Sequence, residues 1–501
     1  MAGHATVPDA VPDGTSRDRS SFRIDPRAIG ACLDELRALC GPDGVVTDRP
    51  SLLTYENDAF TLVAAAPDAV ILPRSTHEAA TALRVLAAHG LPIVPRGAGT
   101  SLAGGTVAVD GGVCVCTARM REILEINLRD RYARVQAGLA NLKLSEALAG
   151  TGYHFAPDPS SQMVSTIGGN VATNAGGPHT LKLGVTTNHV LGVTMILHDG
   201  EVVELGGPCD DAAGFDLRSL AVGSEGTLGL ITEATVRLAR LPETVRTLLA
   251  VFDAVENAAQ TISEVIGAGI LPAALEMIDR LTLQCVEAAF HFGFPADAGA
   301  VLIIELDGLE FGIERQSAAV RAICEGHRCR ELRVAETAER RSELWKCRKK
   351  AFGAYGRLGK SCCTQDGVVP RTRVPDILRV IDEVGRKYGL MIATMMHAGD
   401  GNIHPVLMYD PKDERDVQNV LEGSSEILSA CIRMGGTVTG EHGIGIEKTR
   451  HLAEMFSPAD LAAQHGVREV FDPMHRCNPH KMLALGAPCL ERLRPARGIA
   501  P

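Results

Sequence analysis

Three glycine-rich segments crowd the first half of this 501-residue chain, and each follows or opens a stretch with β-strand character. The first is Pro95-Arg96-Gly97-Ala98-Gly99-Thr100-Ser101, trailed by Gly104 and Gly105. The second runs from Pro157-Asp158-Pro159-Ser160-Ser161 to Ile167-Gly168-Gly169-Asn170-Val171-Ala172-Thr173-Asn174-Ala175-Gly176-Gly177. The third, Gly223-Ser224-Glu225-Gly226-Thr227-Leu228-Gly229, leads into a strand through Leu230 and Ile231. Glycine lets a backbone turn left-handed and approach a ligand closely, and asparagine tolerates the same region. Bare N–H groups in such loops can cradle a pyrophosphate. One loop of this kind is explained equally well by a tight surface turn. Three in one domain point to a ligand that the backbone must touch. The first loop fits neither common nucleotide motif, because Leu102 stands where a Rossmann fingerprint needs glycine and no P-loop lysine follows.

Composition narrows the class. Hydrophobic residues make up 45% and charged residues 22%, a globular balance. No apolar run approaches the roughly 20 residues that cross a bilayer, so a soluble chain with no transmembrane segment is expected. The net charge is −11 with a pI near 5.8, and the 50 lysines and arginines are dispersed, which argues against nucleic acid as a partner. The 14 cysteines form no C-x-x-C and follow no secretory signal. A disulfide framework and an iron–sulfur cluster are therefore both disfavoured, and a cytoplasmic location is expected.

The local signals suggest an α+β chain of several parts. Residues 1–29 lack periodicity and read as a disordered tail. Ser75-x-x-Glu78 predicts a capped helix through Leu83 and Leu86 that stops at Gly90, ahead of a strand over Pro92–Pro95. A second helix is expected from Leu142 to Ala149, a hairpin about His198-Asp199-Gly200 and a strand from Leu228 to Leu238. These place a ligand-binding domain at 30–245. Strand-like runs at Leu248–Phe252, Leu275–Ile278 and Val301–Leu306 alternate with helical ones, and Pro375 is a good first residue for a helix. We read 246–410 as a second domain, an antiparallel sheet with helices on one face. Residues 411–490 are expected to complete the site and return to the first domain, and 491–501 to form a tail.

The second half supplies sharper chemistry. His397-Ala-Gly-Asp-Gly-Asn-Ile-His404 sets two histidines across a tight strand-loop-strand, and Glu441-His442 lies in Thr439-Gly-Glu-His-Gly-Ile-Gly445. A lone histidine is usually a satisfied core or surface residue. Two histidines and a carboxylate in glycine-rich settings form a candidate metal set, His397, His404 and Glu441, with His442 left to act as a base. Arg348, in Leu344-Trp-Lys-Cys-Arg348, has the fork to bind a carboxylate bidentately. By charge pattern alone, with Lys346, Lys349 and Lys350 beside it, it reads as a solvated basic helix face.

Taken together these residues resemble a known family. The loops at Arg96–Ser101 and Gly168–Asn174, with Gly223-Ser-Glu-Gly-x-x-Gly229, resemble the flavin-binding domain of vanillyl-alcohol oxidase and p-cresol methylhydroxylase (PCMH). The Arg348, His397-to-His404 and Glu441-His442 motifs are similar to those of glycolate oxidase flavin subunits and the related D-lactate and D-2-hydroxyglutarate dehydrogenases, over nearly the whole chain from about residue 40 to Cys477-Asn478-Pro-His-Lys481. The resemblance implies a PCMH-type FAD domain with an antiparallel-sheet cap, and FAD-linked oxidation of a small 2-hydroxy acid to the 2-oxo acid. The histidine that anchors covalent flavin is missing from the loop, so non-covalent FAD is implied. Its contacts would come from Arg96, Gly97, Ala98, Gly99, Thr100, Ser101, Pro157, Asp158, Ser161, Gly168, Gly169, Asn170, Thr173, Asn174, Gly223, Glu225, Gly226, Gly229, Ile231 and Asn478. Arg348 would hold the substrate carboxylate and His442 would take the hydroxyl proton. A divalent metal, zinc by expectation, would sit on His397, His404 and Glu441. The implied partners are a second flavin subunit and an iron–sulfur subunit, which would bring the chain near a membrane. The segment Ser361-Cys-Cys-Thr-Gln-Asp-Gly-Val368 departs from the family pattern, with Val368 where threonine is usual, and leaves the substrate side chain open. The alternatives are a D-lactate or D-2-hydroxyglutarate dehydrogenase acting alone, a metallohydrolase, and an electron-transfer subunit with a decayed site.

Overall fold

A computed structural model describes residues 26–209, 213–358 and 361–483. The expected tails lie largely outside these residues, but 26–29 already belong to the helix Pro26–Cys40. The first region holds two sheets. A four-stranded one is ordered Val45–Val46, Ala69–Ile71, Val113–Cys116, Ile93–Arg96, with parallel pairing among the last three. A five-stranded antiparallel one is ordered Ile123–Asn127, Tyr132–Gln136, Leu230–Arg237, Val190–Ile196, Val202–Gly206.

Local chemistry accounts for the helix ends. Ser75 Oγ accepts from the Glu78 N–H (3.2 Å) and starts Thr76–Ala88. Glu78 reaches past Ser75 and accepts from the Arg74 N–H instead. The expected hairpin forms, with Ile196 opposite Val202 and Gly200 at a positive φ of 85°.

The remainder is built on one eight-stranded antiparallel sheet, with strands from Thr244–Phe252 to Asn402–Tyr409. Its helices cover both faces, not one. Leu248, Ala250 and Phe252 pack with Ile262, Val320, Ile377 and Ile427. Leu249 and Val251 point the other way, into a core with Val286, Leu344, Trp345 and Ala351. The physical reason is visible in the strand itself: Leu248-Leu-Ala-Val-Phe252 is apolar at every position, and such a strand is wet on neither side. The helix Glu414–Arg433 supplies Ile427 and Ala430 to this core, so the chain stays on the cap beyond residue 410.

The chain then returns to the first region. Ile93 N donates to Arg476 O (2.9 Å) and Asn478 N to Ile93 O (2.8 Å), which seats Cys477–Asn478 against the strand that feeds the first glycine loop.

Candidate active site

The three glycine segments line one cavity of ≈ 460 Å³, and Arg348, His397, His404, Glu441 and His442 of the second half line it as well. Gly97 backs onto Thr166, so a side chain at 97 would collide with the Thr166 hydroxyl. Gly168 lies against Ala137, whose Cβ a side chain at 168 would meet at 2.5 Å. Thr166 caps the helix Ile167–Thr173 by accepting from Gly169 N (3.2 Å). Gly99 and Gly226 take φ of +71° and +74°, the left-handed region that makes glycine the ready choice. Asn170 Nδ2 and Ser165 Oγ are buried on cavity-lining residues and have no protein partner. A polar ligand seated on these loops would satisfy them.

Of the sequence-nominated ligand contacts, Arg96, Gly97, Ala98, Gly99, Thr100, Ser101, Ser161, Gly168, Gly169, Asn170, Thr173, Glu225, Gly226, Gly229 and Ile231 line the cavity. Five others are engaged elsewhere. Pro157 O accepts from Asn141 Nδ2, and Asp158 binds His179. Asn174 closes its helix in the left-handed region and accepts from Thr187 N. Gly223 N donates to Val171 O, and Asn478 Nδ2 donates to Gly105 O and Glu225 O. They shape the loops from behind. Glu225 lines the cavity, yet its carboxylate accepts from Ile444 N (2.6 Å) and Gly445 N (2.7 Å) and thereby ties the third loop to the returning segment.

Sheet register assembles the wall that the second half contributes. Alternation along Met391–His397 puts Met395 and His397 on one face, His404 stands opposite Met395, and Glu276 stands opposite His397. His397 Nδ1 bonds Glu276 Oε1 (2.6 Å) and Nε2 bonds Glu441 Oε1 (3.1 Å). His404 Nε2 lies 3.3 Å from the same oxygen. Burial pulls the His397 imidazolium down, but the carboxylates of Glu276 and Glu441 outweigh it and raise its pKa well above the usual value. His442 stacks on His404 with ring centroids 4.9 Å apart. Burial pushes the His442 pKa down to about 4, so its ring is neutral near pH 7.

Arg348 is buried, which removes the solvated-face reading. Its Nε donates to Glu276 Oε2 (2.7 Å) and its Nη1 rests on Met395 Sδ. One edge of the guanidinium is thus held by protein while the residue still lines the cavity.

Two groups of this wall were missed from the sequence. Glu276 bridges Arg348 and His397, and a carboxylate within the otherwise apolar run Ala274–Ile278 was the available signal. Asp366 Oδ2 accepts from Thr439 Oγ1 and from the N–H groups of Gly440, Glu441 and His442 (2.5–3.2 Å), which shapes the Glu441-His442 loop. Its only sequence signal was the Asp-Gly step at 366–367.

The FAD binding domain family matches residues 67–206, and the family of FAD linked oxidases, C-terminal domain, matches residues 241–482. The glycolate oxidase subunit GlcD of Bacillus subtilis is 39% identical over 91% of this chain and 97% of its own. The chain belongs to the FAD-linked oxidases. A probable mitochondrial D-lactate dehydrogenase of Danio rerio is 31% identical over 94% of this chain and 95% of its own. A p-cresol methylhydroxylase structure shares the fold of this oxidase, with a TM-score of 0.78 at 15% identity over 92% of this chain and 98% of that one. The matches make it an FAD-linked oxidoreductase with a PCMH-type α+β fold, and leave no place for the hydrolase reading. No helix among the described residues is long and apolar enough to cross a membrane.

Proposed function

We propose that the chain oxidises a small 2-hydroxy acid, glycolate or a D-2-hydroxy acid such as D-lactate, to the 2-oxo acid, using non-covalent FAD. The observation that carries this is that Arg348, His404 and His442 open onto the same cavity as the three glycine loops. The first loop and the first turn of the helix Ile167–Thr173 would hold the cofactor, and Asn170 and Ser165 would offer it their unpartnered groups. The chemistry FAD would supply there is two-electron oxidation, as the acceptor for the hydride from C2 of the substrate. Arg348 binds the substrate carboxylate with the guanidinium edge that Glu276 leaves open. His442, neutral because burial depresses its pKa, takes the hydroxyl proton, and Asp366 holds the backbone that presents it.

The donor atoms of His397, His404 and Glu441 lie within 4.8 Å of one another, and Glu276 orients His397 from behind. Such a set fits a divalent ion, and we place zinc there in our reading. It would supply Lewis acidity toward the substrate hydroxyl. The GlcD relatives are named as subunits. We accordingly infer a cytoplasmic protein that passes electrons to a second flavin subunit and an iron–sulfur subunit, which bring it close to a membrane.

Anaerobic titration of the FAD-loaded protein with glycolate, D-lactate and D-2-hydroxyglutarate tests the reaction. Bleaching of the flavin by one of them is the expected result and identifies the acid. Indifference to all three overturns the proposal.

A further inference from the structure

From Leu344 to Arg357 the chain carries five basic residues and no acidic one, in a protein whose net charge is −11. This segment is the second half of the helix Ala338–Ala354 and the turn after it. Arg348 faces inward, whereas Lys346, Lys349, Lys350 and Arg357 are exposed. Among the described residues no ion pair joins Lys346, Lys349 or Lys350 to a carboxylate. The nearby acids are engaged: Glu343 binds Arg340 (2.6 Å), and Glu287 accepts from Gly293 N and Phe294 N (both 3.1 Å).

Aromatic rings are set among these cations. Phe290 is 38% exposed with Lys350 Nζ 4.5 Å from its ring centre, and Phe352 is 48% exposed. A hollow of ≈ 380 Å³ beside the helix is walled by Phe290, Phe292 and Phe294 and rimmed by Lys346 and Lys350. Exposed aromatics amid unpaired charge are the composition of a docking surface rather than of an ordinary solvated face. The place of this surface matters as much as its composition, because Lys349 and Phe352 also line the FAD cavity.

We propose that this face docks an acidic, electron-accepting protein at the mouth of the flavin cavity. The inference rests on the proposed reaction. For one-electron acceptors the balance is one 2-hydroxy acid and two oxidised acceptors giving one 2-oxo acid, two reduced acceptors and two protons. The remainder of the molecule repels an acidic partner, so the patch selects orientation as well as partner.

The test uses the FAD-loaded full chain, wild type and the double variant Lys346→Glu/Lys350→Glu, with an acidic blue-copper protein as acceptor, a basic c-type cytochrome as control and a small dye. The expected result is reduction of the acidic acceptor that falls by about tenfold or more in the variant, and similarly in wild type when salt rises well past the point where the Debye length is ~10 Å. Dye reduction stays within about twofold and the cytochrome gains nothing from the patch. An unchanged rate with the acidic acceptor overturns the proposal. So does a parallel fall in dye reduction, which would make the lysines a funnel for the substrate anion. Titrating the acidic protein onto the chain reads docking without turnover. Tight binding lost in the variant, with a flavin that no 2-hydroxy acid bleaches, would leave the surface standing and sink the reaction.

Discussion

Arg348 has two duties that one substitution separates. Its Nε satisfies Glu276, which has no exposed surface, while the guanidinium edge meets the cavity. Lysine keeps the charge but not the fork. Arg348→Lys should cost about 2 to 4 kcal/mol of transition-state stabilisation, the order seen when one partner of a desolvated charge pair is lost. It would appear as a sharp rise in KM with lower turnover, and kinetics within about threefold of wild type would show that the fork binds no carboxylate. His404→Ala, or a chelator, should abolish substrate-driven bleaching while FAD stays bound, because His404 bonds only second-half residues and touches none of the glycine loops to which we assign the flavin. Loss of flavin from that variant would make His404 a support of the fold.

Contacts between elements make two further expectations. At the packing of Ile167–Thr173 against the strand end at Ala137, Gly168→Ala has nowhere to put a methyl group, since backbone as well as side-chain atoms lie within 3.0 Å. Overpacking of this kind costs about 1 to 3 kcal/mol, and here it should also weaken FAD, measured as flavin retained through gel filtration against unfolding midpoint. A tight-binding variant of wild-type stability would show that the loop has slack. Across the domains, His179 bonds Asp158 (2.8 Å) and Glu305 (3.2 Å), and Glu305 also receives Arg341 and the Trp345 indole N–H. Burial lowers the His179 pKa, but Asp158 and then Glu305 outweigh it and raise it to about 10. Because the folded pKa lies above the unfolded one, the stabilisation is complete below about pH 6.5 and is lost as pH rises toward the folded value. His179→Gln should therefore lower stability most at and just below about pH 6.5 and flatten the decline between there and about pH 10. Parallel wild-type and variant curves between those limits would place the charge elsewhere.

At the scale of the whole molecule the cavity is bounded by a glycine-rich wall from the first half and a titratable wall from the second, and neither half holds the site alone. The absence of a histidine from the loop Ile167–Gly177 leads to a further expectation. Acid precipitation of the yellow holoprotein should release all its flavin to the supernatant, and colour retained in the pellet would mean a covalent bond. Turnover of the isolated chain should be much faster with a dye than with oxygen. Equal rates would make it a self-sufficient oxidase with no need of the basic face.

Much of this was legible in the sequence because its cause is local. A hydroxyl three residues ahead of a glutamate caps a helix, and closely spaced glycines bring a backbone to a ligand, whatever lies elsewhere; the unbroken apolar run Leu248–Phe252 carried the signal for a sheet covered on both faces, where only one covered face was expected. The histidines and Glu441 could be nominated for the same reason. What surrounds them could not. Glu276 meets His397 because two strands pair in one register, and a slip of one residue would turn both side chains away. Asp366 meets the N–H groups of Gly440 to His442 only once the returning chain is folded over it. By the same convergence Asp158, Asn174 and Asn478, motif residues all, ended on protein partners instead of the cavity. The sequence determined which chemistry each segment could offer; long-range register and packing decided which offers face one another.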